Sequence, residues 1–239
     1  MKRIAVLGYH KIGPPAPGGW ETWFYIPEAV FAEQLATLRD GGWQAVDLAT
    51  FVQGLTEPER LPERTAFITF DDGQRSVREV ALPVLERFGY PAVLFMPTDF
   101  VGGTNDFDSE PDERLCDWDD LRELMLRGVA VQSHGVSHRS FSELAPAERA
   151  QELERSKAAL EAELEQAVEL FAYPYGDDAG LPPELRETLA RTGYRAAFGY
   201  GGGPFAIPAD DPYRLERIAM GPDTDLDQAL EPDGNDGGS

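Results

Sequence analysis

Along this chain, short runs of apolar, β-branched or aromatic residues alternate with longer stretches in which apolar positions recur every three or four residues. The first pattern predicts buried strands and the second amphipathic helices. Ile4-Ala5-Val6-Leu7 reads as a strand, as do Ala66 to Phe70, Ala92 to Met96, Val129 to Val131, Glu169 to Ala172 and Ala196 to Phe198, with Leu215 to Met220 a last candidate. Helical stripes lie between them. Pro27 to Asp40 carries Val30, Phe31, Leu35 and Leu38 on one face, opens on a proline and closes on Gly41-Gly42. Val77 to Phe88 ends at Gly89. Asp117 caps a helix running to Arg127, with Asp119 and Asp120 in the first turn, where the helix dipole favours acid. Pro146 to about Gln166 and Pro183 to Thr192 complete the set. Such repeated strand–helix alternation predicts an α/β fold on a parallel sheet, open or closed into a barrel.

The length, 239 residues, accommodates one large domain or two small ones, and a 42% hydrophobic composition places the chain among globular proteins. With 43 acidic against 21 basic residues the net charge is −22. That balance excludes a phosphate-tracking nucleic-acid binder and argues against an anionic membrane surface as a partner. The ordinary role of so much acid is a solvated, soluble surface. From Asp223 onward there are six acids, no bases and a Gly-rich end. The expected organisation is therefore a catalytic-size domain over residues 1–222 and an acidic, disordered tail over 223–239. Cys116 is the only cysteine, so no intrachain disulfide forms, and its acidic neighbours favour an inert thiol. The apolar run after Met1-Lys2-Arg3 is shorter than the ~7 residues of a signal peptide core, and none approaches the ~18 of a membrane span. A cytoplasmic protein without membrane insertion is the expectation.

Candidate chemistry gathers behind the predicted strands. Asp71-Asp72-Gly73 follows directly on Ala66 to Phe70, and ligands of parallel α/β sheets collect at strand carboxyl ends. Paired carboxylates there can divide the work, one holding a metal and one accepting a proton; Asp-Asp-Gly is equally ordinary turn chemistry. His134 and His138 stand four apart just past the strand ending near Val131, and they converge on one ion if the segment forms a helical turn. With Asp72 they would make an Asp-His-His facial site with coordination positions left open. The third and last histidine, His10, follows the first strand. Trp20, Trp23, Phe24 and Tyr25 cluster after it, where their faces could stack on sugar rings or anchor the core. Gly199-Tyr200-Gly201-Gly202-Gly203-Pro204 lacks the Lys and Ser/Thr of a phosphate loop and reads as a flexible connection.

These residues resemble the polysaccharide deacetylases of carbohydrate esterase family four. Phe67-Ile68-Thr69-Phe70-Asp71-Asp72-Gly73, Ser133-His134-Gly135-Val136-Ser137-His138 and Phe171-Ala172-Tyr173-Pro174-Tyr175-Gly176 look like that family's first, second and third motifs. Tyr9-His10-Lys11-Ile12 and Phe24-Tyr25-Ile26-Pro27 resemble the poly-N-acetylglucosamine deacetylase branch. The resemblance covers about residues 4 to 221 and implies a distorted (β/α) barrel with about seven parallel strands. It implies Asp72, His134 and His138 as ligands of a divalent metal, usually Zn2+, Asp71 as general base, His10 as general acid and the Tyr175 backbone N–H as oxyanion donor. The implied substrate is an N-acetylated carbohydrate and the product acetate. Alternatives on the same scaffold are an amidase for a non-sugar N-acyl compound and a carbohydrate-binding protein without catalysis. Many family members carry an Arg two residues before the motif's proline to orient the base; Ala172 stands there, leaving the positioning of Asp71 open.

Overall fold

The structure is a computed structural model and describes residues 2–231. Its strands are β1 (Arg3–Tyr9), β2 (Lys11–Ile12), β3 (Tyr25–Ile26), β4 (Gln44–Ala45), β5 (Arg64–Phe70), β6 (Ala92–Met96), β7 (Val129–Ser133), β8 (Leu170–Ala172), β9 (Ala196–Phe198), β10 (Phe205–Ala206) and β11 (Ile218–Ala219). The α-helices are α1 (Glu28–Asp40), α2 (Leu48–Gly54), α3 (Leu82–Phe88), α4 (Trp118–Leu126), α5 (Pro146–Leu164), α6 (Pro183–Thr192) and α7 (Leu226–Ala229). β1, β5, β6, β7, β8 and β9 lie side by side in parallel, with β4 parallel to β5 and β10 antiparallel to β1.

The curled sheet is closed by one short segment. Leu215 bridges Phe198 of β9 in parallel, and three residues further on Ile218 and Ala219 pair with Leu7 and Gly8 of β1. The result is the expected distorted (β/α) barrel. Strand residues alternate between two buried clusters, as the two-residue period of a strand requires. Ile4, Val6, Phe67, Val93, Phe95 and Phe198 fill the interior, plugged from one end by Phe51 of α2, whose ring stacks on Phe67 at 4.0 Å. Ala5, Leu7, Ile68, Phe70 and Leu94 face outward into the layer of helices. Continuing the inward alternation from Phe67 through Thr69 brings Asp71 to the top of the interior.

Three local features depart from the sequence expectation. The segment 77–88 is not one uniform α-helix: Val77–Ala81 is a π-helical turn ahead of α3. Pro83 has no N–H to return to Glu79, which removes the α-type bond at that point. α2 lies outside the elements the pattern predicts; seven residues are too few for periodicity to show, and Asp47 caps it through Thr50 N–H at 2.8 Å. The third lies past residue 222, within the expected tail. α7 packs Leu226 and Leu230, both buried, against the main core, and Asp225 caps it through Gln228 N–H. Residues 232–239 of the expected tail lie outside the described residues. No described helix is long and apolar enough to cross a membrane.

If α7 belongs to the domain, Leu226→Ala lowers unfolding free energy by about 2 kcal/mol, the low end for a buried leucine because the helix is terminal. Denaturant unfolding reads this directly, and an unchanged midpoint would return the segment to the tail.

Candidate functional site

Strand carboxyl ends converge on a cavity of about 270 Å3 lined by His10, Asp71, Asp72, His134, His138 and Tyr200 among others. Each side chain is aimed by local backbone. Asp71 N–H donates to Tyr9 O at 2.9 Å, holding the end of β5 against β1. Asp72 then turns into the left-handed region at φ 68°, followed by Gly73 at φ 73°. A Cβ on Gly73 would stand 2.0 Å from Met96 Sδ, so only glycine permits this turn beside β6.

His134 extends from β7, and its backbone N–H donates to Met96 O at 3.1 Å. Its Nδ1 lies 2.7 Å from Ala172 O. A carbonyl only accepts, so Nδ1 carries the hydrogen and Nε2 presents a bare lone pair. That Nε2 faces Asp72 Oδ1 at 3.4 Å, and His138 Nε2 faces the same oxygen at 3.1 Å. The two histidines converge without a helical turn between them. Gly135 at φ 81° and His138 at φ 54° make a left-handed loop instead, and its reversal brings the two rings to 4.9 Å. Phe107 stacks on the His138 ring at 4.0 Å, and Tyr175 meets it edge-on at 4.8 Å.

One ligand atom from each of Asp72, His134 and His138 lies within 4.8 Å of the others, and all three residues are buried. A carboxylate oxygen facing an imidazole lone pair is repulsive unless a proton or a cation stands between them. The donor set of two imidazoles and a carboxylate therefore fits a divalent cation. Burial alone would raise the Asp72 pKa, but the imidazoles of His134 and His138 against its carboxylate hold it well below the ordinary value. Burial would likewise lower His134, yet Asp71 and Asp72 raise it.

Asp71 is held by a residue the sequence reading did not single out. Arg217, fully buried, donates from Nη1 to Oδ1 and from Nη2 to Oδ2, both at 2.7 Å. Its Nε–H donates to Gly199 O at 2.8 Å, and its guanidinium lies over the Phe95 and Tyr200 rings. This answers what orients Asp71 when Ala172 replaces an arginine. Burial pushes the Asp71 pKa up, but Arg217 and then His134 outweigh it, and the net shift is downward. The sequence signal is faint: Arg217 stands beside Glu216 inside the candidate strand Leu215 to Met220.

His10 stands across from Asp71, with Nε2 at 4.0 Å from Oδ2. Its ring packs on Phe24 at 4.6 Å and edge-on to Tyr200 at 5.1 Å. Burial lowers its pKa, with Asp72 and Asp71 opposing. Tyr175 sits at the rim at φ 58°, its side chain 59% exposed and its hydroxyl donating to Phe107 O at 3.1 Å. The aromatic cluster divides. Phe24 lines the cavity, Tyr25 is buried and donates to Glu113 Oε1 at 2.8 Å, and Trp23 Nε1–H donates to Asp223 at 2.7 Å. Trp20 is 57% exposed. Tyr200, expected in a plain flexible connection, is packed against His10, and the acid-rich loop from Gly102 to Asp117 contributes Asp108 and Glu110 to the cavity wall. Cys116 is buried away from the cavity and burial pushes its thiol pKa up, so it stays a thiol.

A family model described as polysaccharide deacetylase matches residues 59–197, more than half of the chain. His10 and Arg217 lie outside that span, but longer alignments include most of the chain. The chain is 24% identical over 212 residues to a poly-beta-1,6-N-acetyl-D-glucosamine N-deacetylase of Staphylococcus aureus (strain MRSA252), covering 84% of this chain and 69% of that protein. It is 26% identical over 229 residues to the enzyme of the same name from Escherichia coli (strain K12), of whose length it spans only 33%. Among solved structures, IcaB from Ammonifex degensii superposes with a TM-score of 0.80 at 27% identity, covering 95% of both chains. The Streptococcus pyogenes deacetylase PplD, solved with acetate, superposes at 0.81 with 23% identity, a likeness of fold.

The site generates two expectations. A chain stripped with chelator takes up one divalent ion per molecule, and His138→Ala reduces that uptake at least tenfold, roughly the loss of one ligand; dialysis with metal analysis measures both. Separately, Asp177 accepts from Ser142 N–H and Oγ–H, at 2.7 Å each, and from Ser140, tying the third-motif turn to the chain after His138. Burial raises its pKa, but these hydrogen bonds prevail and lower it to about 2 from 3.8. A depressed carboxylate stabilises the fold above its unfolded pKa and loses that contribution as pH falls through the folded value. The stability gap between wild type and Asp177→Asn therefore closes as pH drops from about 4 toward 2. A constant gap across that window contradicts the assignment.

Proposed function

The chain belongs to the polysaccharide deacetylase family, and from that premise we propose that it hydrolyses N-acetyl groups on a β-linked N-acetylglucosamine polymer or oligomer, releasing acetate. The observation that carries this reading is the juxtaposition of an Asp72-His134-His138 ligand set with a separate carboxylate, Asp71, locked by Arg217 in the same cavity.

Asp72, His134 and His138 would hold the divalent ion, zinc being the metal this donor set suits best. When bound, such an ion polarises an amide carbonyl and makes a water acidic enough to attack it. Asp71 is the base that takes the water's proton. Arg217 keeps it ionised and fixes both of its oxygens, so the acceptor is already oriented when substrate arrives. An amine is a poor leaving group until protonated, and His10, opposite Asp71, supplies that proton. Its lowered pKa makes the imidazolium a stronger acid. The Tyr175 N–H, on a turn held in the left-handed region, is assigned to the developing oxyanion. Phe24 and Tyr200 hold the His10 ring and exclude water from one side of the cavity. The acidic wall from Asp108 and Glu110 tolerates a neutral acetamide and a cationic amine product, whereas a polyanion would be repelled.

Acetate release from N-acetylglucosamine oligomers is the direct test, with chelator abolishing it and zinc restoring it. Bound zinc without acetate release would favour a non-sugar amide substrate, and a metal-free inactive chain a binding module. Asp71→Asn should cut kcat roughly 100- to 10,000-fold, the range for loss of a general base, with near-normal turnover removing Asp71 from that role. Arg217→Lys keeps charge but loses the bidentate fork. A less stabilised Asp71 carboxylate titrates at higher pH, so the acid limb of the kcat/KM profile moves upward. An unmoved limb would show that Arg217 does not tune the base.

A further inference from the structure

His134 is locked by the barrel through β7 and Ala172, but among the described residues no hydrogen bond holds the buried Nδ1 of His138. Its backbone is left-handed, a conformation that a non-glycine residue keeps only when its surroundings enforce it. In the loop leading to it, Gly135 N–H donates to Ser133 Oγ, and the next two N–H groups, of Val136 and Ser137, turn to the interior rather than to a strand. One side chain collects them. Glu152, buried on α5, accepts from Val136 N–H at 2.5 Å and Ser137 N–H at 3.0 Å through Oε2, and from Ser137 Oγ–H at 2.7 Å through Oε1.

Among the described residues Glu152 has no ion-pair partner, so these three donors are what its buried charge rests on. The fit is close. A Cβ on Gly135 would stand 2.9 Å from Glu152 Oε2, so the loop needs glycine there to admit the carboxylate. The helix turn that carries Glu152 is itself tied to β7, since Ser156 Oγ–H donates to Glu152 O at 2.5 Å and Ser133 Oγ lies 2.7 Å from Ser156 Oγ. A continuous path of hydrogen bonds thus runs from the strand bearing His134, through α5, to the loop bearing His138.

We infer that Glu152 is a positioning residue for the metal site: its carboxylate holds the Val136-Ser137 backbone so that His138 meets Asp72 and His134 with its conformational cost already met by the fold. This rests on the metal reading proposed above. Without Glu152 the loop samples other conformations, and each metal-binding event must order it again. Partners that orient metal ligands in this way typically contribute 10- to 100-fold in affinity.

The test is zinc affinity of the whole chain, stripped with chelator and titrated in competition with a chromophoric chelator, alongside acetate release at saturating zinc. Glu152→Ala should weaken zinc binding about tenfold or more. Glu152→Gln should recover part of the loss, because the amide oxygen still accepts from the backbone while its NH2 opposes one donor. Ser137→Ala, which removes one of the three donors, should fall between wild type and Glu152→Ala. Wild-type zinc affinity in Glu152→Ala overturns the inference and leaves the metal reading intact. Should that variant fail to fold, wild-type affinity in both Glu152→Gln and Ser137→Ala overturns it equally. A wild-type chain that takes up no zinc removes the metal reading, and the inference with it.

Discussion

A carboxylate as buried as Asp71, 2% exposed, stays ionised only where a cation and hydrogen-bond donors replace the water it has lost. Arg217 supplies both, and its place in the chain makes the rest of the barrel depend on the pair. It sits between Leu215, which bridges β9, and Ile218, which pairs with β1. The segment that closes the sheet is therefore the segment that delivers the cation. Beneath it the interior is apolar and aromatic, with Phe67, Phe95 and Phe198 in the barrel core. In that low-dielectric setting an unpaired Asp71 or Arg217 would be costly, so closure of the sheet and ionisation of Asp71 favour one another.

The ligand side of the cavity is governed by backbone strain. Asp72, His138 and Tyr175 all occupy the left-handed region, at a cost of order 1–3 kcal/mol each. They persist because neighbours over-determine them: Gly73 against Met96, Glu152 under the loop to His138, and Asp177 tying the Tyr175 turn to Ser140 and Ser142. The arrangement presents three ligand atoms to one point without any regular element supplying two of them. It is a site of loop ends on a rigid scaffold, as parallel α/β folds favour.

What the chain's own pattern disclosed was set by local periodicity. β6 and α6 run between the residues read from the sequence, and α1 begins one residue later than Pro27, which caps it. All three histidines and both motif aspartates were placed at strand ends, and all five line the cavity. Elements made by pairing alone were invisible: β4 and β10 are two residues each. α7 was hidden by composition, since its acids dominate a stretch in which Leu226 and Leu230, four apart, do the packing. The loop between His134 and His138 is not legible in the sequence because two histidines at that spacing suit a helical turn as well. Only the positive φ values of Gly135 and His138 distinguish the cases.

The sequence by itself determined the α/β alternation, the order of the strands that carry chemistry and the residue types that can hold a metal and move a proton. Those depend on neighbours within a few positions, where side-chain period, capping and turn chemistry act. Tertiary structure alone decided that Arg217 orients Asp71, 146 positions away, and that Glu152 supports the loop to His138 from a helix. A guanidinium or carboxylate on a strand or helix looks the same in sequence whether it meets water or a buried partner. The difference is made by desolvation, which exists only once the barrel has closed around the pair.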